Sequence, residues 1–171
     1  MKVSYAEQDH VSYLLRCVQV SRVAKNSGNF PFGAILVDSL GNVLLEQGNI
    51  EITENVCTGH AETMLMEAAS RVFSKSFLWN CTLYTTVEPC AMCAGSIYWG
   101  NVGRVVYGIS EQRLAQLTGD DSRNLTLDLP CREVFARGRK PIEVMGPFPE
   151  IEEETITVHE NYWKQGRLHS L

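Results

Sequence analysis

The chain has 171 residues, 44 % hydrophobic and 20 % charged, with a formal net charge of −5. That length suits a single domain, expected over residues 1–171, with a core large enough to enclose a site. The negative balance argues against a broad nucleic-acid footprint, which needs clustered Lys and Arg, and no apolar run reaches the length of a membrane span.

Met1 to Asp9 is polar and does not read as a secretory leader, so the cytoplasm is the expected location. Tyr5 to Lys25 carries apolar residues at helical spacing (Val11, Leu14, Leu15, Val18) and predicts a helix, ended at Gly28. Phe30 to Gly33 is extended, because the residue before Pro31 avoids helix. Ala34 to Asp38 and Val43 to Asn49 predict an antiparallel hairpin about the turn Ser39 to Asn42, with Asn49 at its end as a turn residue or a pocket residue. Ile50 to Gly59 reads as a loop.

His60 then opens a helix to about Phe73, with Met64, Leu65, Ala68 and Ala69 as its apolar face. Cys81 to Val87 is rich in Thr, Tyr and Val and predicts a strand. Pro89 is expected as the first residue of a helix to Trp99. Val102 to Ile109 predicts a strand parallel to its predecessor. Ser110 to Leu117 reads as a short helix capped by Ser110, Thr118 to Leu129 as a long loop, and Pro130 to Ala136 as another short helix. Pro141 to Met145 is a fifth strand, and a last helix is expected from the acidic run Glu150–Glu154 to Lys164.

Two motifs carry chemistry: His60-Ala61-Glu62 and Pro89-Cys90-Ala91-Met92-Cys93. One imidazole and two thiolates make three zinc ligands, which leaves a fourth position open for water, as catalytic zinc sites require. Cys90 and Cys93 would lie one turn apart near a helix N-terminus, whose field favours thiolate. His60, Cys90 and Cys93 are therefore the expected ligands of one Zn2+ per subunit, and Glu62 is the expected proton carrier. A lone Cys-x-x-Cys would also suit a redox pair or half of a structural zinc site. Cys17, Cys57, Cys81 and Cys131 are expected as small core residues rather than a disulfide framework, with a place near the site, though not as a ligand, the alternative for Cys57, which lies close before His60.

These motifs, with Pro31-Phe32-Gly33-Ala34 ahead of them, resemble the cytidine deaminase-like superfamily, in the branch that holds guanine deaminases, tRNA adenosine deaminases and fungal-type cytosine deaminases. The resemblance implies an α/β fold of three layers, α/β/α, with a five-stranded mixed sheet flanked by helices, and a homodimer. By position it implies that Asn49 holds the base or sugar and that the Ala61 N–H contacts a substrate carbonyl. Phe32 and Ile97-Tyr98-Trp99 are similar to guanine deaminases. So is Gly119-Asp120-Asp121, which brings in Asp121. Arg104 to Gly108 is closer to tRNA adenosine deaminases. Cys57-Thr58-Gly59 stands where both groups usually show Asp-Pro-Thr-Ala.

The expected reaction is hydrolytic deamination of a nucleobase or related amino-heterocycle, with a guanine-type free base as the first choice. Glu62 would take a proton from water and pass it to a ring nitrogen, then to the departing amine. Phe30, Phe32, Trp99, Tyr107, Phe135 and Trp163 are candidates to sandwich the ring, with Phe32, Trp99 and Trp163 preferred. The alternatives are a tRNA adenosine deaminase and a zinc-stabilised module without catalysis. A purely structural site would have a fourth Cys or His in place of the unligated Glu62.

Overall fold

The computed structural model describes residues 9–165, so the part of the first expected helix before Asp9 lies outside the described residues. Helix α1 spans His10–Asn26, with Asp9 as its cap: an Asp9 carboxylate oxygen accepts the Ser12 N–H at 3.1 Å. Strands β1 (Gly33–Val37) and β2 (Val43–Gly48) pair antiparallel. The one-turn helix α2 (Glu51–Glu54) occupies what the sequence presents as loop. Helix α3 (Ala61–Val72) follows, then a second single turn α4 (Lys75–Leu78), strand β3 (Thr82–Val87), helix α5 (Ala91–Gly100) and strand β4 (Arg104–Ile109). The chain ends with α6 (Glu111–Thr118), α7 (Cys131–Ala136), β5 (Glu143–Met145), a 3-10 turn at Pro149–Ile151 and α8 (Glu152–Gln165).

The sheet order is β2-β1-β3-β4-β5. β1 runs antiparallel to β2 and β3, while β3, β4 and β5 are parallel. This is the expected five-stranded mixed sheet. β1 and β3 are buried along their whole length, as central strands covered on both faces must be. Alternate residues serve opposite faces. Ala34, Leu36, Leu83 and Val105 meet Leu65, Ala69 and Ile97 from α3 and α5, whereas Ile35, Val37, Tyr84 and Val106 meet Leu14, Cys17 and Val18 of α1 and Val158 of α8. Among the described residues no helix is long and apolar enough to cross a membrane.

Strand direction decides where the site lies. β3 and β4 end at Val87 and Ile109, and antiparallel β1 begins at the same end, with Gly33 opposite Gly48 at the close of β2. Glu88-Pro89-Cys90, Ser110-Glu111, Phe30 to Phe32 and Asn49 therefore converge on one edge. Ligand sites of open α/β sheets sit outside the carboxyl ends of their parallel strands in the same way.

Candidate active site

Two helices begin at this edge and their first residues carry the ligands. His60 is the cap residue of α3, with extended backbone (φ −66°, ψ 144°), and Cys90 is the cap residue of α5 (φ −65°, ψ 172°). The expectation that Pro89 opens α5 is off by two positions. Proline stands just ahead of the cap, and the helix proper starts at Ala91. This shift places Cys93 in the first turn, above Cys90. It also answers how His60 and Glu62, two apart, serve one site: His60 stands beside the helix end and Glu62 lies inside the first turn.

The His60 Nδ1 lies 3.5 Å from the Cys90 sulfur and 3.6 Å from that of Cys93. Tetrahedral zinc with ordinary Zn–N and Zn–S bonds holds nitrogen and sulfur about 3.6 Å apart. Both nitrogen–sulfur separations thus match those around one tetrahedral ion, and all three donor atoms lie within 4.8 Å of one another. The field suits a cation as well. Burial alone would push His60 down, but its hydrogen bond to Cys90 and the charges of Glu62, Cys90 and Glu51 outweigh that and hold it at about 9. Cys90 is pulled well below the usual thiol range, first by its hydrogen bond with Cys93, and Cys93 is raised by the same bond and by burial. One thiolate and a protonated imidazole in the metal-free protein are a site that exchanges protons for a cation.

Glu62 is buried, 6 % exposed. Its Oε1 accepts the Thr85 hydroxyl at 2.7 Å, and its Oε2 lies 3.4 Å from the Cys93 sulfur, which donates. Burial, then the Cys90 charge, raises its pKa. It reaches the ligand cluster without belonging to it, and its raised proton affinity suits a group that takes and returns protons.

Above these residues is a cavity of about 340 Å³. Phe30, Phe32, Asn49, His60, Glu62 and Cys90 line it, as do Glu88, ahead of Pro89-Cys90, and Glu51 and Glu111, which the sequence motifs do not include. Glu88 is 7 % exposed and fixes the wall: its two carboxylate oxygens accept the Glu111 N–H (3.2 Å) and the Cys131 N–H (3.1 Å), the first residues of α6 and α7. Glu111 is 8 % exposed, and burial followed by the charges of Cys90, Glu62 and Glu88 lifts its carboxyl to about 7.

The roof comes from the 118–129 stretch, through Arg123 to Leu127. Arg123 donates to both oxygens of Asp121, at 2.9 and 2.7 Å. Its guanidinium lies 5.1 Å from the Tyr162 ring centre and 5.4 Å from that of Trp163. Asp121 and Trp163, expected at the substrate, thus stand one layer behind the wall. Trp163 stacks on Phe30 at 5.9 Å, and His159 meets Phe32 edge-on at 5.2 Å, so α8 backs the aromatic wall without lining it.

Ala61, the first residue of α3, is fully buried, and its N–H belongs to the turn whose donors have no intrahelical acceptor. Trp99 is a correction. It is 72 % exposed, packs edge-on against Tyr98 and lies under Lys140, outside the cavity wall. Six residues after Cys93, it is turned by roughly 240° around the same helix. Tyr107 and Phe135 belong to the core on the α3–α5 side, not to the cavity wall. Cys17, Cys81 and Cys131 are buried as expected; Cys57 is exposed and lines the cavity, so of its two expected places it takes the one near the site and not the core.

The family model for the cytidine and deoxycytidylate deaminase zinc-binding region matches residues 7–109, more than half of the chain. A probable cytosine deaminase of Schizosaccharomyces pombe is 37 % identical over 162 residues, covering 95 % of this chain and 96 % of that protein. A tRNA-specific adenosine deaminase of Haemophilus influenzae is 35 % identical over 96 residues, 56 % of each chain. The X-ray structure of guanine deaminase from Bacillus subtilis superposes with a TM-score of 0.58 at 35 % identity, covering 67 % of this chain and 73 % of that one. The chain belongs to the cytidine and deoxycytidylate deaminase zinc-binding family and is a zinc-dependent hydrolytic deaminase, with His60, Cys90 and Cys93 forming a site that can bind the metal.

Proposed function

We propose that the chain deaminates a free nucleobase, replacing a ring amino group by oxygen with water as co-substrate and ammonia as product. The observation that carries this reading is Glu62, a buried carboxylate with raised proton affinity beside three metal ligands in the lining of one cavity. Zinc bound there supplies a Lewis acid that makes water a stronger acid. Glu62 takes the water proton, delivers it to the ring nitrogen beside the amino-bearing carbon, and returns a proton to the departing amine. Thr85 keeps one carboxylate oxygen aimed while the other works. Asn49, with the Ala61 N–H at the start of α3, holds the polar edge of the ring, and Phe30 and Phe32 supply a flat apolar wall.

The size of the cavity, about 340 Å³, and its aromatic wall of Phe30 and Phe32 support a small flat substrate, and the formal net charge of −5 supports a free base over RNA. Cytosine and guanine are the two bases to separate first. The Schizosaccharomyces pombe protein matches through α8 and the roof, while the match to guanine deaminase leaves a third of the chain uncovered. The working form in this reading is a cytoplasmic homodimer, which light scattering on the purified protein tests.

The experiment is ammonia release from cytosine, isocytosine, guanine, adenine, guanosine and a tRNA anticodon stem-loop, with Glu62→Ala alongside and zinc content measured in both. Turnover of a free base, lost in the variant while zinc is retained, is the expected result. Turnover of the stem-loop alone would replace this reading with the RNA deaminase. Zinc-loaded protein inert on every member would overturn the free-base assignment for those bases.

A further inference from the structure

Glu51 takes no part in the proton transfers assigned to Glu62, yet its carboxylate touches both halves of the site. Its Oε2 accepts from the Asn49 Nδ2 at 2.6 Å and lies 3.5 Å from the His60 Nε2. Its own backbone N–H donates to the Asn49 Oδ1 at 3.0 Å. The Asn49 amide is therefore pinned in one sense. Turned over, it would set oxygen against carboxylate and NH2 against N–H. Pinned, it keeps one N–H and one oxygen lone pair for the cavity. His60 faces the two sulfurs through Nδ1, so a ring that binds metal there carries its proton on Nε2. Among the described residues, Glu51 is the carboxylate recorded at that nitrogen.

The backbone explains how this carboxylate comes to be there. Glu51 starts the single turn α2, which closes back on the His60 side: the Ile50 N–H donates to the Gly59 carbonyl at 2.9 Å, and the Gly59 N–H to that of Val56 at 3.0 Å. A Cβ on residue 59 would lie 2.8 Å from the Glu51 nitrogen and 2.9 Å from its Cα. Gly59, with no Cβ to meet the Glu51 backbone, lets the turn seat against the histidine. Gly59 and the carboxylate at 51 are one device.

We propose that Glu51 is a positioning residue that sets the His60 ring and the Asn49 amide together, so that metal ligand and substrate contact are aligned by a single carboxylate. The proposal rests on His60 as a zinc ligand and Asn49 as a substrate contact. Its test is zinc affinity by chelator competition on the full chain, for wild type, Glu51→Ala, Glu51→Gln and Gly59→Ala, followed by KM and kcat at saturating zinc. Glu51→Ala is expected to lose about 10- to 100-fold in zinc affinity, the usual effect of removing an outer partner of a ligating histidine, and to raise KM more than it lowers kcat once zinc is restored. Glu51→Gln keeps an oxygen that accepts the Asn49 N–H and lies beside the His60 Nε2, and is expected to recover most of both losses. Gly59→Ala retains every polar group but displaces the turn, and is expected to weaken zinc binding in the same direction, which keeps the test open if Glu51→Ala misfolds. Wild-type zinc affinity and wild-type KM in Glu51→Ala overturn the proposal while leaving the site intact. A wild-type protein that does not bind zinc overturns the metal reading, and this proposal with it.

Discussion

The floor and the roof of the cavity are built on opposite plans. The floor is made of helix starts: His60 caps α3, Cys90 caps α5, and Glu62 and Cys93 lie in the first turns. Each side chain is fixed by its rank from a helix end, and the helix dipoles favour the thiolates to the extent of about 0.3–1 kcal/mol each. The roof is a polar stretch with no regular structure between Asp121 and Pro130, held by an ion pair, an Arg–aromatic stack and the support of α8. It even carries buried polar atoms, the Asn124 Nδ2 and the Thr126 hydroxyl, without a partner in the protein. Rigid helix ends suit a fixed reaction. A roof with spare hydrogen-bonding capacity suits the choice of substrate.

If that division holds, floor variants abolish turnover and roof variants change which ring is turned over. The largest effect is expected from Cys93→Ala. It leaves two ligands and an empty buried site, so zinc content falls to background by elemental analysis and ammonia release falls with it. Glu62→Gln comes next: zinc stays bound and kcat falls by about 10²–10⁴, the usual contribution of a positioned acid–base group. A Glu62→Gln protein with wild-type kcat would remove the carboxylate from the mechanism.

The floor was legible in the sequence because every part of it is local. His60-Ala61-Glu62 and Cys90-Ala91-Met92-Cys93 each fit within one turn, and strand–helix–strand order fixed the parallel pair that brings them to one edge. Glu51 and Glu111 were not singled out, and Glu88 was read only as part of the Glu88-Pro89-Cys90 motif, without a role, because the contacts that give these carboxylates their place are not local in the chain. Glu88 matters through the N–H groups of Glu111 and Cys131, 23 and 43 residues away. Trp99 was misplaced because its neighbourhood to Cys93 in sequence hid the turn of the helix between them. Asp121 and Trp163 were found near the site but one layer too close, since spacing along the chain does not reveal that Arg123 and Phe30 stand in front.

Arg123→Met tests the roof. It removes the charge that ties Asp121 to the Tyr162 and Trp163 rings and leaves the floor untouched. KM is expected to rise about tenfold, the equivalent of one charge-assisted hydrogen bond at roughly 1.5 kcal/mol, with zinc content unchanged and the ranking of bases altered. An equal fall in kcat for every base would mean that the roof serves the chemistry and not the choice.

Glu111 lies where floor meets roof, and its test is pH. Its folded pKa is raised, from an ordinary 4.5 to about 7. A carboxyl that binds its proton more tightly when folded contributes stability that is fully present below the unfolded value and lost as pH rises through the folded one. Wild-type protein stripped of metal should therefore lose stability between pH 4.5 and pH 7, and Glu111→Gln should be flatter over that window. Urea midpoints at pH 5 and pH 8 check this, with the variant gaining on wild type at pH 8. Identical pH slopes would mean that the carboxyl is paired or hydrated in solution.

The smallest effect is expected from Trp99→Ala. The side chain is exposed on the far side of α5 from Cys93, and exposed substitutions generally change stability by no more than about 0.5 kcal/mol. Zinc content and kcat/KM for the preferred base should match wild type. That expectation belongs to a chain whose own residues complete its cavity. In a homodimer the same ring is free to meet a second copy, and then Trp99→Ala would weaken self-association, read by sedimentation, before it changed anything else. If kcat/KM falls only in step with dissociation, Trp99 acts across a subunit boundary, and the similarity to guanine deaminases at Ile97-Tyr98-Trp99 reports assembly. If kcat/KM falls while the oligomer stays intact, the cavity drawn from a single chain lacks one wall, and Trp99 of the neighbouring copy supplies it.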